Sequence, residues 1–225
     1  MRDIAQKHVV FWKDTTVLRR VVFGVLLLAI GMLSIYYSRE YTSDHLGSVV
    51  PDIILDNVPV MRVGLIFFQG AFAFFLVLVG VLLWEPKYIP FTLETSSVFF
   101  LTRSVFMIMT HLSAPAVEYY TYTSRDHHVS TVLFTLSSGN DLFFSGHAGF
   151  PFLVALIFWK QKPLRYFFLV CSLIGSVAVL LGHLHYSIDV FSAFFIAYGV
   201  FEISKRIFKR EHVFEESLET LKSLK

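Results

Sequence analysis

Two short polar motifs contain the residues of this chain that are best suited to chemistry. The first spans residues 139–147 and includes Asp141 and His147, and the second is His-Tyr-Ser-Ile-Asp at residues 185–189. Each motif lies where a long apolar stretch begins, so two histidines and two carboxylates flank a predicted membrane boundary. Polar groups at such a boundary are costly unless they are paired, which makes a functional role the default interpretation.

The spacing within the second motif favours nucleophilic catalysis. An aspartate four residues after a histidine lies on the same helical face, where the carboxylate can fix one ring nitrogen and leave the other free to attack. His185 and Asp189 have this spacing. His147 is then available to hand a proton to a leaving group. The pattern indicates transfer of a phosphoryl group or a headgroup at a membrane surface.

The elements that must position these residues are predicted to be apolar helices. The chain has 225 residues, of which 55% are hydrophobic and 16% charged, and its mean hydropathy is +0.63. This composition predicts an all-α, polytopic membrane protein. We predict six transmembrane helices, at residues 21–37, 63–84, 98–112, 142–159, 166–181 and 187–203. No repeat or linker divides the chain, so residues 1–225 are predicted to form one domain.

The distribution of basic residues predicts the orientation of these spans. With the amino terminus inside, the inner segments contain fifteen Lys and Arg residues and the outer segments contain three. Both termini are therefore expected to be cytoplasmic, with residues 1–20 along the inner surface and residues 204–225 as a charged tail. The motifs then lie on the extracytoplasmic face. The net charge of +2 reflects anchoring beside the membrane, which argues against nucleic-acid binding.

Four segments, in order along the chain, resemble the sphingomyelin synthase-like branch of the type 2 phosphatidic acid phosphatase superfamily. This branch includes the sphingomyelin synthase-related and ceramide phosphoethanolamine synthase-like proteins. The segments are Pro-Asp-x-x-x-Asp-x-x-Pro at residues 51–59, Arg-x-x-x-Met-x-x-Thr…Pro at 103–115, Asp…Phe-Ser-Gly-His at 141–147 and His-Tyr-Ser-Ile-Asp-Val-Phe at 185–191. Their common order is more specific than any one of them, since a lone Ser-Gly-His is a weak signal.

The resemblance implies six helices and a catalytic triad on the outer face. It makes His185 the nucleophile, Asp189 its orienting carboxylate and His147 the acid and base. It also implies that Asp141 orients His147, and Glu118 is the nearest candidate for a further acidic position.

Five residues are assigned to substrate binding, and no cofactor is expected. They are Ser145, Gly146, Arg103, Glu118 and Tyr186. Ser145 and Gly146 would let the backbone approach a phosphate, as the start of a helix does. The pair would equally suit tight packing between helices.

Several single residues suit two different roles. Asp141 could equally cap the following helix, and Arg103 could equally form a structural ion pair. The tyrosines beside Glu118 suit either an ammonium cage or an interfacial aromatic belt. His127-His128 and His183-x-His185 fit no familiar zinc spacing, so no metal is expected.

The charge of the site bears on the substrate. The wider superfamily's phosphatases carry Ser-Arg six to seven residues before the second histidine, and a Lys-x₆-Arg-Pro motif. Here Ala178 and Val179 occupy the first pair, and the second motif does not occur. Such cations would bind a doubly charged phosphate monoester. Their absence favours a phosphodiester, whose phosphate carries one negative charge.

The sequence therefore predicts a membrane enzyme that moves the phosphate headgroup of a phospholipid through a phosphohistidine. The acceptor would be a ceramide-like lipid alcohol or water, as in a phospholipase C. A second possible function is that of a lipid phosphate or isoprenyl diphosphate phosphatase, and a third, of another class, is that of a metal or small-solute transporter. The identity of the headgroup and acceptor and any homo-oligomer are left open.

Overall fold

The computed structural model describes residues 2–115 and 142–208, and within these ranges the chain forms helices, turns and loops without strands. The predicted all-helical class is confirmed for this part of the chain. The α-helices are α1 (Arg2–Lys13), α2 (Thr15–Asp44), α3 (Ala71–Trp84), α4 (Ile89–Thr110), α5 (Gly146–Ile157), α6 (Lys162–Leu181) and α7 (Ser187–Phe208). A π-helical turn, Leu65–Gly70, leads directly into α3. Short 3₁₀ turns occupy Leu55–Asn57 and Pro86–Tyr88.

Four of the described helices are long and apolar enough to cross a membrane. They are Thr15–Asp44, Leu65–Trp84, Lys162–Leu181 and Ser187–Phe208, and they coincide with predicted spans one, two, five and six. Many of their large apolar side chains are exposed on the outside of the bundle, which suits contact with lipid. These helices indicate a membrane protein. The six-span topology with cytoplasmic termini stays a prediction.

The two remaining predicted spans correspond to helices of different character. Helix α5 has 12 residues and is apolar but short. Helix α4 has 22 residues, about 33 Å at 1.5 Å per residue, and it contains Glu94 and Arg103. Both of these charged side chains are buried, together with several hydroxyl residues of the same helix. Helix α4 is therefore polar on the sides that face protein, which lowers its mean hydropathy.

Small residues bring α2 against α4. The buried residues of α2 include Val17, Gly24, Gly31 and Ser38, which recur every seven residues and so lie along one stripe of the helix. A Cβ added at Gly24 would lie 2.9 Å from the Cβ of Leu93 on α4. The two backbones approach closely because the stripe lacks large side chains, as in membrane helix packing generally.

Helices α4, α5 and α7 meet at the centre of the main apolar core. A Cβ added at Gly149 on α5 would lie 3.2 Å from both the Phe99 ring of α4 and the Ala193 Cβ of α7. Phe99 and Ala193 are fully buried. This close crossing fixes α5 against α7 just below the two sequence motifs.

The loops divide between two ends of the bundle. One end, here called the site end, gathers residues 45–62, 111–115, 142–147 and 181–189. Its backbone contacts include Gly47 N–H to His111 O (2.8 Å) and Met61 N–H to Leu181 O (2.8 Å). Both sequence motifs therefore lie at the same end of the molecule.

The opposite end is held by charged groups. Lys7 pairs with Glu85 at 2.9 Å, and Arg20 makes two hydrogen bonds to the buried Glu94 carboxylate at 3.0 and 2.6 Å. Arg20 also donates to the carbonyl of Phe208, the last residue of α7, at 3.1 Å. At the end away from the motifs, Arg20 thus ties α2 to α4 and α7, and Lys7 ties α1 to the end of α3.

Candidate active site

His185 and Asp189 lie together as their spacing predicts, but they do not share a helical face, because His185 lies two residues before the start of α7 and Asp189 lies in its first turn. His185 Nδ1 lies 3.4 Å from Asp189 Oδ2, and the side chains are 5% and 0% exposed. The same carboxylate oxygen accepts the backbone N–H of Tyr186 at 3.0 Å. Since Nδ1 faces the carboxylate, Nε2 lies on the far side of the ring. The pair has the arrangement of a histidine held by an aspartate for reaction through its other nitrogen.

A backbone hydrogen bond joins the first motif to the second. Ser145, at the N-cap position of α5, donates its N–H to the carbonyl of Asp189 at 3.0 Å. His147 follows as the second residue of α5. The structure therefore places the start of α5, with His147, beside the first turn of α7, with Asp189. The hydroxyl of Ser145 is buried and has no hydrogen-bond partner among the residues described.

Two neighbouring helices hold the first turn of α5. The Ser172 hydroxyl of α6 donates to the Ala148 carbonyl at 2.7 Å, and a Cβ added at Gly175 would overlap the His147 carbonyl. On another side, the ring of Phe67 in the π-helical turn stacks on the His147 ring, with centroids 3.9 Å apart. These contacts fix both the backbone and the ring of His147.

Arg103 lies directly beneath the Ser-Gly-His motif. Its Nε donates to the Phe144 carbonyl at 2.7 Å, and the side chain is 6% exposed. A Cβ added at Gly146 would lie 3.6 Å from the guanidinium carbon, an ordinary van der Waals contact, so Arg103 packs directly beside the motif. A buried positive charge therefore lies next to the amino terminus of α5, which itself favours anions.

Tyr186 links three segments at the site end. Its hydroxyl donates to the Ser113 carbonyl at 2.9 Å and accepts the Val50 N–H at 3.2 Å, while the side chain is 1% exposed. Burial raises the pKa of the Tyr186 phenol, and the nearby carboxylates of Asp189 and Asp52 raise it further. The phenol is therefore neutral and can donate. A direct contact between Tyr186 and substrate stays a prediction.

Asp52 is a site-end carboxylate to which the sequence analysis gave no role. Its Oδ2 accepts the N–H of Ser187, the first residue of α7, at 2.6 Å. Its Oδ1 accepts the N–H groups of Ile54 and Leu55 at 2.9 and 3.2 Å. Burial raises the pKa of the Asp52 carboxyl, but these N–H donors outweigh that effect and hold its pKa below the ordinary value. Asp52 belongs to the Pro-Asp-x-x-x-Asp segment at residues 51–59, which indicated a family resemblance but did not predict a role for this side chain.

Several predicted site residues lie outside the described part of the chain. They are Asp141, Glu118, the tyrosines that follow Glu118, and His127-His128. Their roles stay predictions. Within residues 2–115 and 142–208, no three His, Cys, Asp or Glu side chains form a group that could hold a metal ion. In the same part of the chain, His183 places Nε2 3.1 Å from the Val58 carbonyl.

The protein has apolar helices that can cross a membrane, and a buried histidine–aspartate pair lies at one end of the bundle. These features are those of a membrane protein with an enzyme-like site. The family model described as PAP2 superfamily C-terminal matches residues 138–206, which contain both motifs. This match supports the type 2 phosphatidic acid phosphatase superfamily, whose members are phosphatases or phosphotransferases, and so supports an enzyme. The matched range does not include residues 51–59 or 103–115. A search of curated proteins found no match.

Proposed function

We propose that this protein is a membrane phosphotransferase or hydrolase that removes the phosphate headgroup from a phospholipid through a phosphohistidine. The proposal places the reaction on the extracytoplasmic face and follows the sphingomyelin synthase-like branch. The observation that carries it is the buried His185–Asp189 pair at the start of α7, hydrogen-bonded through Asp189 to the start of α5. This arrangement supplies a nucleophile and its orienting group, with His147 on the adjoining helix.

In the first step, Nε2 of His185 attacks phosphorus and the bond between phosphorus and the diacylglycerol oxygen breaks. Asp189 holds the Nδ1 proton of His185 and stabilises the positive charge that develops on the ring. His147 gives a proton to the departing alkoxide, so diacylglycerol leaves as a neutral alcohol. The headgroup phosphate stays on His185.

In the second step, His147 takes the proton of an acceptor hydroxyl, and the acceptor oxygen attacks phosphorus. The phosphorus–nitrogen bond breaks and returns His185 to its starting state. A ceramide-like acceptor gives a sphingophospholipid, whereas water gives a phosphorylated headgroup. Asp141, by the resemblance, would orient His147 through both steps.

The charges around the described motif favour a phosphodiester. Arg103 and the amino terminus of α5 provide positive potential, and the unpartnered Ser145 hydroxyl is a donor that a phosphate oxygen would satisfy. The positions that hold Ser-Arg in the superfamily's phosphatases are Ala178 and Val179, both buried in α6. This set suits one negative charge better than the nearly two charges of a monoester.

A competition assay tests the choice of substrate. Purified protein in mixed micelles is given labelled phosphatidylcholine, phosphatidylethanolamine, phosphatidic acid and an isoprenyl diphosphate, with and without ceramide. We expect a phosphodiester lipid to be preferred by at least about tenfold in kcat/KM, or ~1.4 kcal/mol in transition-state binding, with diacylglycerol as product. A tenfold preference for phosphatidic acid or an isoprenyl diphosphate would instead establish a phosphatase.

Histidine variants test the catalytic assignment in the same assay. His185→Ala and His147→Ala should each abolish turnover while the protein stays folded. His8→Ala is the matched control, because His8 contacts the Leu83 carbonyl at the opposite end of the bundle and should leave turnover unchanged. Near-normal turnover by His185→Ala would refute the mechanism.

A further inference from the structure

We propose that Asp52 is a positioning residue for the catalytic pair: its carboxylate fixes the start of α7 and thereby the geometry of His185 and Asp189. This inference rests on the proposed function for its kinetic consequences. Asp52 belongs to the loop at residues 45–62, and 135 residues separate it from the Ser187 N–H that it accepts. The link is therefore a tertiary contact between the loop and the catalytic helix.

The two carboxylates divide the backbone donors at the start of α7. Asp189 accepts the N–H of Tyr186, and Asp52 accepts the N–H of Ser187. The first N–H groups of a helix have no partner within the helix, so each acceptor from outside contributes to the position of the helix end. Because His185 directly precedes these two residues, loss of the Asp52 contact is expected to alter the distance between His185 and Asp189.

Four contacts from residues 45–62 converge on the segment before and at the start of α7. In addition to the Asp52 contact, the Met61 N–H donates to the Leu181 carbonyl at 2.8 Å, the Val50 N–H donates to the Tyr186 hydroxyl at 3.2 Å, and His183 Nε2 lies 3.1 Å from the Val58 carbonyl. The loop thus follows the turn between α6 and α7 from Leu181 to Ser187. Asp52 is the charged member of this set, and its contact is the one that holds the first residue of α7.

Both Asp52 oxygens accept hydrogen bonds, so a near-isosteric substitution can test the role of the carboxylate. Oδ2 accepts from Ser187, while Oδ1 accepts from Ile54 and Leu55. An asparagine has one acceptor oxygen, and its NH₂ group would face N–H donors on the other side. Asp52→Asn therefore keeps the volume of the side chain but either loses the contact with α7 directly or loses the loop turn that holds residue 52 in place for that contact.

Asp56 provides a matched control within the same loop. It is also an aspartate of the Pro-Asp-x-x-x-Asp segment, but it is exposed, and its backbone N–H donates to the Asp52 carbonyl at 2.8 Å. Asp56→Asn makes the same chemical change without removing a contact to α7. It should leave both kinetics and stability unchanged.

The kinetic experiment compares wild-type protein, Asp52→Asn, Asp52→Ala and Asp56→Asn at equal amounts of folded protein. A misplacement of about 1 Å can cost about 100-fold in rate, so we expect kcat to fall between roughly 10- and 100-fold in both Asp52 variants. KM should stay within about threefold, because Asp52 is not proposed to touch substrate. If Asp52→Ala does not fold, the near-isosteric Asp52→Asn decides the outcome. A folded Asp52 variant with kcat within threefold of wild type would overturn the inference.

A second measurement does not depend on turnover. In protein labelled with ¹⁵N-histidine, the Nδ1 proton of His185 reports its bond to Asp189, and His185→Gln identifies the resonance. We expect both Asp52 variants to shift this resonance, and Asp56→Asn to leave it in place. An unchanged resonance in the Asp52 variants would overturn the positioning role, even if no phospholipid is turned over. Absence of turnover in wild-type protein, with the resonance shifted, would instead refute only the proposed function.

Discussion

At the scale of single residues, the candidate site depends on how buried polar groups are paired. His185 and Asp189 are almost fully buried, and Asp189 Oδ2 serves both the His185 ring and the Tyr186 N–H. A buried carboxylate is costly unless such donors surround it. The two contacts on Oδ2 offset part of this cost, since Oδ1 is buried without a hydrogen-bond partner among the described residues, and they hold the carboxylate in the position that orients the histidine.

Asp189→Asn tests whether the charge of this carboxylate matters for chemistry. The amide keeps the shape of the side chain and can keep its oxygen on the Tyr186 N–H, but it has no negative charge to stabilise the imidazolium that forms when His185 attacks. We expect kcat to fall by about 10⁴-fold, as when the aspartate of a serine–histidine–aspartate triad is replaced by asparagine. The measurement is steady-state turnover of the preferred phospholipid in mixed micelles.

The control for this variant is Glu202→Gln on the same helix. Glu202 forms a partly exposed pair with Lys205 at 2.7 Å, far along α7 from His185. Such pairs contribute little to stability, so the variant should stay folded. Because Glu202 lies far from His185, turnover should also stay unchanged. Activity of Asp189→Asn within tenfold of wild type would show that the negative charge of Asp189 is not needed for turnover.

The proximity of His185 to Asp189 could be predicted from the sequence because it is local. His185 and Asp189 are only four residues apart, and the turn that leads into α7 brings them together although His185 itself lies before the helix. The contact of Asp52 with Ser187 could not be predicted in this way, since it joins positions 135 residues apart. The role of Arg103 also stayed open, because its contact with the Phe144 carbonyl depends on how α4 meets the first motif.

At the scale of elements, predicted spans were most accurate where helices face lipid. Predicted spans one, two, five and six match helices that are apolar over a long window. The fourth prediction began at residue 142, whereas α5 begins at Gly146, because Ser145 takes an extended conformation at the N-cap position. Helix α4 extends on the amino-terminal side of the predicted span, to Ile89, through a polar stretch that packs against protein.

The packing of α6 against α5 is expected to control the position of His147. A Cβ at Gly175 would overlap the His147 carbonyl, a backbone atom that cannot rotate away as a side chain can. Gly175→Ala should therefore displace the first turn of α5. We expect kcat to fall by about tenfold or more and stability to fall by about 1–3 kcal/mol. Turnover and the thermal unfolding midpoint in detergent measure the two effects.

Gly199→Ala in α7 is the matched control for this substitution. No atom lies within 4 Å of a Cβ added at Gly199. Alanine also has a higher helix propensity than glycine, so stability should rise by up to about 1 kcal/mol with unchanged turnover. If Gly175→Ala behaved like Gly199→Ala, close packing at the His147 carbonyl would not be a constraint on the site.

At the scale of the whole molecule, the two ends of the bundle differ in chemistry. The site end gathers both histidine motifs and the Asp52 loop, while the opposite end holds the Lys7–Glu85 and Arg20–Glu94 pairs. Arg20 also contacts the Phe208 carbonyl, so the start of α2 and the end of α7 share that opposite end. If the spans cross the membrane as predicted, the two termini leave the bundle on the same side.

Cysteine labelling tests this orientation. The sole cysteine, Cys171, is first replaced by serine, and single cysteines are then introduced as Ile53→Cys and Lys87→Cys. Ile53 is 82% exposed in the loop at the site end, and Lys87 is exposed at the opposite end, after α3. Because fifteen of the basic residues fall on the predicted inner segments, we expect the opposite end to be cytoplasmic. In intact cells, a membrane-impermeant maleimide should therefore label Ile53→Cys at once and Lys87→Cys only after permeabilisation.

The Cys171→Ser parent should stay unlabelled, and phospholipid turnover by each variant confirms that it is folded. Labelling of both positions from outside would show that α3 does not cross the membrane, and the reverse pattern would place the histidine motifs on the cytoplasmic face.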